Sequence, residues 1–357
     1  MRRQQSLLPP ISHPSFLPLP QAIENRPMPR IFLTHPPLAL KNYYGDKALG
    51  GLRRLAEVRL NPLERELSIA ELAEAARGCE IVISYRQTPG PAELFPLLPD
   101  AVAFSRCAID IRNIDVAAAS ALGILVTQAS AGFIPAVAEW VVGVMVDLSR
   151  GISAAVRAYQ SGTLPAAAMG RELRGATLGV IGYGQISRYL CPLGVALGMR
   201  VLVSDPHAQA DGPGLTPADL PTLLRESDYV VCLAIANSET ENLMGETTFG
   251  QMKPGAFFIN PSRGNLVDEA ALLRALDSGH IAGCALDVGR APDQMPTPGV
   301  AAHPKVIATP HVGGLTPQAI EHQALETVSQ AALILQGQAP PGSVNPQQAG
   351  RLVRLKK

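Results

Sequence analysis

The chain is 357 residues long, room for two domains at roughly 150 residues each, and its 47% hydrophobic and 17% charged residues are those of a core-forming protein. Lysine plus arginine and aspartate plus glutamate both number 30, so no charge excess marks a partner of nucleic acid or of an anionic membrane. No stretch is apolar over the roughly 18 residues that a bilayer-crossing helix needs.

Residues 1–29 carry Pro9, Pro10, Pro14, Pro18, Pro20, Pro27 and Pro29 and no hydrophobic period, which predicts a disordered or extended arm. Arg2 and Arg3 before Leu7–Leu8 have the look of an export signal, but the prolines interrupt any apolar core, so none is read. From Arg30 strands are expected at Ile31–Thr34, Glu57–Leu60, Ile81–Ser84, Val102–Ser105 and Ile124–Thr127. Helices alternate with them: about 46–55, Ser68–Arg77 with a Ser68/Glu71 capping box, a short one after Ser84, and Asp115–Leu122. Alternation of this kind builds a doubly wound parallel domain. Ala136–Leu148, AVAEWVVGVMVDL, is apolar on nearly every face and predicts a helix buried in the core or against a second copy of the chain.

The stretch Thr177–Pro206 then reads strand, glycine-rich turn, helix, strand. Gly182-Tyr183-Gly184-Gln185-Ile186 follows an apolar run, and Asp205 stands 23 positions after Gly182, near the ~20 of a dinucleotide fold. The turn brings backbone N–H groups and a helix N-terminus to a pyrophosphate. Asp205 would accept from a ribose 2′-hydroxyl and repel a 2′-phosphate, favouring NAD over NADP. Ser187 occupies the place of the third glycine, small enough for helix to pack on strand. Further strands are expected at Tyr229–Ala236, Phe257–Asn260, Ala285–Val288 and Val306–Ala308, about six in all from 178 to 308, with helices at Leu220–Arg225 and Glu269–Ser278. A last helix spans Thr316–Leu335 up to Gly337, and 347–357 reads as a loose basic tail. The five cysteines (Cys79, Cys107, Cys191, Cys232, Cys284) lack C-x-x-C spacing and read as free thiols in a reducing, cytoplasmic compartment.

Three strand ends carry chemistry: Asn260-Pro261-Ser262-Arg263-Gly264, Asp287, and Thr309-Pro310-His311-Val312-Gly313-Gly314. Ligands of open parallel sheets bind at such ends. A guanidinium grips a carboxylate and polarises the neighbouring carbonyl, and an imidazole gives or takes a proton near neutral pH. His13, His35, His207, His280, His303 and His322 have no comparable setting.

These segments, with Asn113-Ile114-Asp115, Val137-Ala138-Glu139, Met252-Lys253-Pro254-Gly255, Val267-Asp268 and Ala285-Leu286-Asp287-Val288, resemble the D-isomer-specific 2-hydroxyacid dehydrogenase family from about Arg30 to Asn345. The resemblance implies an α/β fold of two Rossmann-like doubly wound parallel-sheet domains, the cofactor domain inserted into the substrate domain. It puts the substrate domain at 30–127 and 315–346, the NAD-binding domain at 128–314, and the active site in the cleft. It implies NAD as cofactor, a small 2-oxo or 2-hydroxy acid as substrate, a homodimer, and no nucleic-acid, membrane or metal partner. By resemblance Arg263 binds substrate and His311 is the acid/base. Gly182, Tyr183, Gly184, Gln185, Ile186, Asp205, Pro261, Ser262, Asp287, His311, Gly313 and Gly314 face the cofactor, with Asp287 on the nicotinamide carboxamide. Tyr85, Arg86, Ala108, Ile109 and Asp110 join Arg263 around the substrate.

Three positions depart from the pattern. Pro292 stands where the family commonly has the glutamate that pairs with the histidine, and Asp293, one residue on, is the carboxylate read as its replacement. Ala108-Ile109-Asp110 replaces a G-x-G turn, bringing an acid near a carboxylate site, with Arg112 close enough in sequence to offset it. Leu233-Ala234-Ile235-Ala236 replaces a segment where His and Pro are frequent. An NAD-binding regulatory protein of the same fold with weak or lost catalysis is the alternative reading. Formate oxidation fits less well, because that branch is expected to carry glutamine at position 292.

Overall fold

The apolar runs become short parallel strands whose alternate side chains feed two separate cores, the period-2 signature of a sheet covered on both faces. The structure, a computed structural model, describes residues 28–356. All but the last two residues of the arm read over 1–29, and Lys357, lie outside the described residues. The chain divides into two units, one of residues 28–132 with 317–356 and one of residues 133–316.

The first unit runs β1 (Arg30–Leu33), α1 (Pro37–Tyr43), α2 (Gly45–Leu55), β2 (Glu57–Leu60), α3 (Ile69–Ala75), β3 (Ile81–Ser84), β4 (Ala103–Arg106), α4 (Val116–Ala121) and β5 (Leu125–Gln128). Its strands pair in parallel in the order β2-β1-β3-β4-β5. Ile31, Leu33, Ile81, Ile83 and Leu125 fill one core and Phe32, Val82, Phe104 and Val126 the other. The Ser68/Glu71 capping box forms as expected, and Asp115 caps α4 by accepting from the Ala118 amide at 2.9 Å.

In the second unit follow α5 (Ile134–Arg150), α6 (Ile152–Gln160), β6 (Thr177–Ile181), α7 (Gln185–Ala196), β7 (Arg200–Ser204), β8 (Leu215–Pro217), α8 (Leu220–Glu226) and β9 (Tyr229–Cys232). Then come α9 (Glu246–Gln251), β10 (Ala256–Asn260), α10 (Glu269–Asp277), β11 (Ile281–Leu286), α11 (Pro298–Ala301) and β12 (Val306–Ala308). The sheet order is β12-β11-β10-β9-β6-β7-β8, all parallel. Strand order reverses between β6 and β9 here, and between β1 and β3 in the first unit. Beyond the strand carboxyl ends these are the crevices where an open α/β sheet takes its ligand. A final helix, α12 (Pro317–Ile334), returns to the first unit, where Ala324, Ala331 and Ile334 join its core. Among the described residues no helix is long and apolar enough to cross a membrane.

In helix α5, Val137, Ala138, Val141, Val144 and Met145 face the core, while Glu139, Gly143, Val146 and Arg150 form a stripe at helical spacing that one chain leaves exposed. Two expectations are corrected. The second sheet has a strand not foreseen, β8, whose three residues end in proline and sit at the edge, where a missing donor is tolerated. Nor is 347–356 a loose tail. Gly350–Leu355 winds as a 3-10 helix that buries Leu352 and Leu355, three apart and so on one face, in the first unit's core. The basic residues hold it there: the Arg351 guanidinium donates to the carbonyls of Leu98 (2.8 Å) and Ala101 (2.7 Å).

Candidate active site

In the second unit the turn after β6 is fixed by two local constraints. Gly182 has φ +91°, and a Cβ there would lie 2.7 Å from the Leu233 carbonyl oxygen at the end of β9, so only glycine closes the turn. Ser187, fully buried, donates its hydroxyl to the Gly182 carbonyl at 2.6 Å and so braces the same turn from the helix side. Gly184 is the N-cap of the twelve-residue helix α7, no side chain caps that helix, and a Cβ on Gly184 would meet nothing within 4 Å. Open space over a helix N-terminus with uncapped amides fits an approaching pyrophosphate.

Asp205 ends β7 and binds its own loop. One oxygen accepts from the Tyr183 amide at 2.6 Å, the other from His207 at 2.7 Å and Ala208 at 2.8 Å. Burial pushes this carboxyl up, but the three amide donors outweigh it and hold it below the ordinary aspartate value. A carboxylate has about four acceptor positions, so one is left toward a hydroxyl.

The loop after β10 is closed by Asn260, fully buried, whose oxygen accepts from the Ser262 amide (3.0 Å) and whose nitrogen donates to the Arg263 carbonyl (2.9 Å). Pro261 is buried, and the Ser262 hydroxyl donates to the Ala234 carbonyl at 2.9 Å. Arg263 is thereby presented half-buried, its Nη1 donating to the Ser262 carbonyl at 2.7 Å.

Asp287, 2% exposed, accepts three hydrogen bonds from the loop after β12: from the Thr309 hydroxyl at 2.6 Å, the Val312 amide at 2.8 Å and the Gly313 amide at 2.7 Å. Its visible work is to clamp the loop that carries His311. Gly313 is part of that clamp, since a Cβ there would lie 2.8 Å from the Asp287 carboxylate and 3.6 Å from Trp140. Gly314 packs in the same way on Phe133.

His311 has φ +56°, a left-handed conformation rare for a residue with a side chain, and its Nδ1 lies 2.8 Å from the main-chain carbonyl oxygen of Asp293. The partner expected at Asp293 meets the ring through its main chain: Nδ1 lies against its carbonyl. A carbonyl only accepts, so the proton is assigned to Nδ1 and Nε2 is the unprotonated nitrogen of the neutral ring. The carbonyl reaches the ring because Asp293 and Gln294 both have φ +57°. Pro292 starts this turn, and the Gly289 amide closes it by donating to the Gln294 carbonyl at 2.8 Å. Of four non-glycine residues with positive φ among those described, two, His311 and Asp293, make this contact and a third, Gln294, adjoins it.

In the first unit, Tyr85 and Arg86 follow β3 at its switch point. Tyr85 is buried, its ring 5.1 Å from that of His35 and its amide bound by the Thr34 hydroxyl at 2.9 Å. Ala108 is half-buried and Ile109 is 37% exposed. Asp110 is matched by Arg112, whose Nε lies 3.0 and 3.1 Å from its two oxygens and whose Nη2 lies 2.6 Å from one. Two residues escaped the sequence reading, one in each unit. Arg106 is fully buried and donates to the carbonyls of Tyr85 and Thr88 (2.9 Å) and to the Asn113 oxygen (2.6 Å). Burial lowers it to about 10, and it still carries its charge at neutral pH. Thr309 was quoted only as part of a motif. An arginine ending an apolar strand, and a threonine two residues before His311, were the available signals.

The family model described as D-isomer specific 2-hydroxyacid dehydrogenase, NAD binding domain, matches residues 142–313. The (S)-sulfolactate dehydrogenase of Chromohalobacter salexigens is 32% identical over 288 residues, 76% of this chain and 92% of that protein. The D-3-phosphoglycerate dehydrogenase of Archaeoglobus fulgidus is 33% identical over 270 residues, 73% of this chain but 51% of that protein, so the chain spans about half the length of such relatives. Among solved structures, apo D-lactate dehydrogenase from Escherichia coli superposes with a TM-score of 0.76 at 26% identity, over 88% of this chain and 99% of that one.

Proposed function

The chain belongs to the D-isomer specific 2-hydroxyacid dehydrogenase family, and on that premise we propose that it interconverts a small 2-oxo acid and the D-2-hydroxy acid, with Arg263 holding the substrate and His311 as acid/base. The observation that carries this reading is the seating of His311 on the Asp293 carbonyl, on a loop clamped by Asp287.

The Gly182–Ile186 turn and Asp205 would hold NAD, which would supply the hydride acceptor or donor. The protein's part is the proton and the position. In the reducing direction protonated His311 gives its Nε2 proton to the carbonyl oxygen, and the neutral ring keeps its Nδ1–H on the Asp293 carbonyl. In the oxidising direction Nε2 takes the hydroxyl proton, and the same Nδ1 bond holds the ring. Arg263 binds the carboxylate with its planar fork and polarises the adjacent carbonyl. The neutral acceptor fixes the tautomer without a second negative charge.

The working form in this reading is a homodimer. Val146, Ile152, Val156, Tyr159, Leu164 and Met169, all within the α5–α6 region and the segment after it, are 37% or more exposed, more apolar surface than a lone subunit leaves without reason. Val156→Glu should shift the species in a light-scattering size measurement from dimer to monomer, and a wild-type monomer would refute the assembly.

The test of the activity follows NADH absorbance with a panel of 2-oxo acids, for wild type and for His311→Gln. Turnover with at least one acid, lost by a hundredfold or more in the variant, is expected. Retained NADH binding with no turnover of any acid would instead favour an NAD-binding protein without catalysis.

A further inference from the structure

Three loops at the carboxyl ends of the second unit's strands are tied together by one side chain. They follow β9, β10 and β11, and the last two carry Arg263 and the Asp293 carbonyl. Arg290, three residues before Asp293, reaches back over the other two loops. Its Nη2 lies 2.6 Å from the Asn242 side-chain oxygen, 2.9 Å from Glu241 Oε1, and 3.1 Å from each of the Asn265 and Val267 carbonyls. Its Nε meets the Val267 carbonyl as well, at 3.2 Å. The ion pair with Glu241 is exposed on both sides and would hold little alone. The carbonyls and the amide oxygen make the contact a tie, because a rigid planar fork meets them all from one orientation.

The backbone beneath this fork is packed to the limit that glycine allows. A Cβ on Gly264 would lie 2.0 Å from the Gly289 carbonyl oxygen, and one on Gly289 would lie 2.5 Å from Pro296 Cα. The residue after Arg263 therefore rests directly on the residue before Arg290. Glu269, at the start of α10, holds both ends of the turn: Oε1 accepts from the Arg290 amide at 3.4 Å and Oε2 from the Thr297 hydroxyl at 2.9 Å. Between those ends Pro292 and Asp293 are exposed, so burial does little to fix the turn. The left-handed conformations of Asp293 and Gln294 persist only where the surroundings over-determine them. Asn242, the remaining non-glycine residue with positive φ among those described, is itself a partner of Arg290. Its amide donates to the Asn265 carbonyl at 2.9 Å, which closes the network on the far side.

We infer that Arg290 is a positioning residue for His311. It anchors the turn that presents the Asp293 carbonyl to the loop that carries Arg263, so the imidazole keeps its tautomer and the two side chains share one frame. The inference rests on the proposed dehydrogenase reading and adds to it a residue that acts only through others.

The experiment uses the full chain with Arg290→Met and Arg290→Lys. Turnover is followed with NADH and a panel of 2-oxo acids, and the His311 ring by nitrogen-15 NMR of histidine-labelled protein, its signals identified by their loss in His311→Gln. In the wild type the neutral ring should show the Nδ1–H form, and in Arg290→Met a mixture of the two tautomers. The same variant should lose about tenfold or more in kcat while KM for NADH stays within about twofold, since the Gly182–Ile186 turn is untouched. Arg290→Lys keeps the charge without the fork and should fall between the two. An Arg290→Met protein with a lower Tm but wild-type kcat and tautomer would overturn the inference and leave the dehydrogenase reading intact, because Arg290 would then only add stability. If Arg290→Met does not fold, a lysine variant with wild-type kcat and tautomer overturns it in the same way. A tautomer that depends on Arg290, with no 2-oxo acid turned over by the wild type, would sink the activity and keep the positioning of the ring.

Discussion

Asp293 allows main chain to be separated from side chain, because its carbonyl meets His311 at 2.8 Å. Asp293→Asn leaves the carbonyl in place and puts in the residue that best tolerates φ +57°, so kcat/KM should stay within about twofold and the pH–rate profile should not move. Asp293→Gly relieves about 1 kcal/mol of left-handed strain, against a similar loss from the freer unfolded chain, so Tm should change little and activity persist. Asp293→Pro is the disruptive member. Its ring fixes φ near −65°, which turns the carbonyl away and removes a bond worth about 1 kcal/mol. The effect on rate should be larger than on stability, since a misplaced acid/base loses on the order of a hundredfold in kcat. Fold is monitored by thermal unfolding, where the exposed turn should show a drop of only a few degrees. The reasoning fails if Asn shifts the profile or cuts the rate tenfold, which would make the carboxylate the partner. It fails equally if the Pro variant is fully active.

Three further outcomes can be checked on the same preparation. Asp287→Asn sets an amide N–H against one of the loop's donors; losing one or two bonds of the charged type, each about 1.5–3 kcal/mol, should lower Tm by roughly 5–15 °C and cut kcat. Quenching of the only tryptophan, Trp140, by NADH reports whether cofactor still binds, and an unaltered Tm would refute the clamp. Asp205→Ser should narrow the preference for NADH over NADPH at least tenfold, by removing the repulsion of a 2′-phosphate; an unchanged ratio would mean that Asp205 only braces its loop. His35, buried with neither ring nitrogen bonded, is lowered from 6.5 to about 3 by burial and then by the Arg106 charge. A depressed histidine stays neutral in the fold while the unfolded chain takes up a proton, so stability should fall as pH drops from about 6.5 toward 3, by at most ~1.4 kcal/mol per unit. His35→Phe should flatten that limb in denaturant titrations, and an equal slope would exclude the mechanism.

The fold was legible because it rests on patterns that survive in one dimension. Apolar runs of four or five residues, Ser68 before Glu71, and glycine at positions 182 and 184 each state their own geometry. What escaped depends on context. Leu352 and Leu355 look like two apolar residues in a basic tail, and only the waiting core of α2 and α12 turns them into an anchor. Helix α5 was read as buried in the core or against a second copy of the chain because composition carries no direction. The stripe through Glu139, Gly143 and Val146 emerges once the sheet fixes which way the helix faces.

The two acids nearest His311 show why a site is harder to read than a fold. A motif names a side chain and suggests a partner of matching charge, so Asp293 stood in for a missing glutamate and Asp287 for a carboxamide acceptor. In the structure Asp287 acts through its carboxylate on backbone amides, and Asp293 acts through its backbone on an imidazole. Both contacts run between main chain and side chain, and main-chain groups are the same at every residue. The trace that sequence does retain is indirect. A proline at 292 opens the turn, an aspartate follows at a position that adopts positive φ more readily than most, and together they bring a carbonyl where a carboxylate would otherwise be needed.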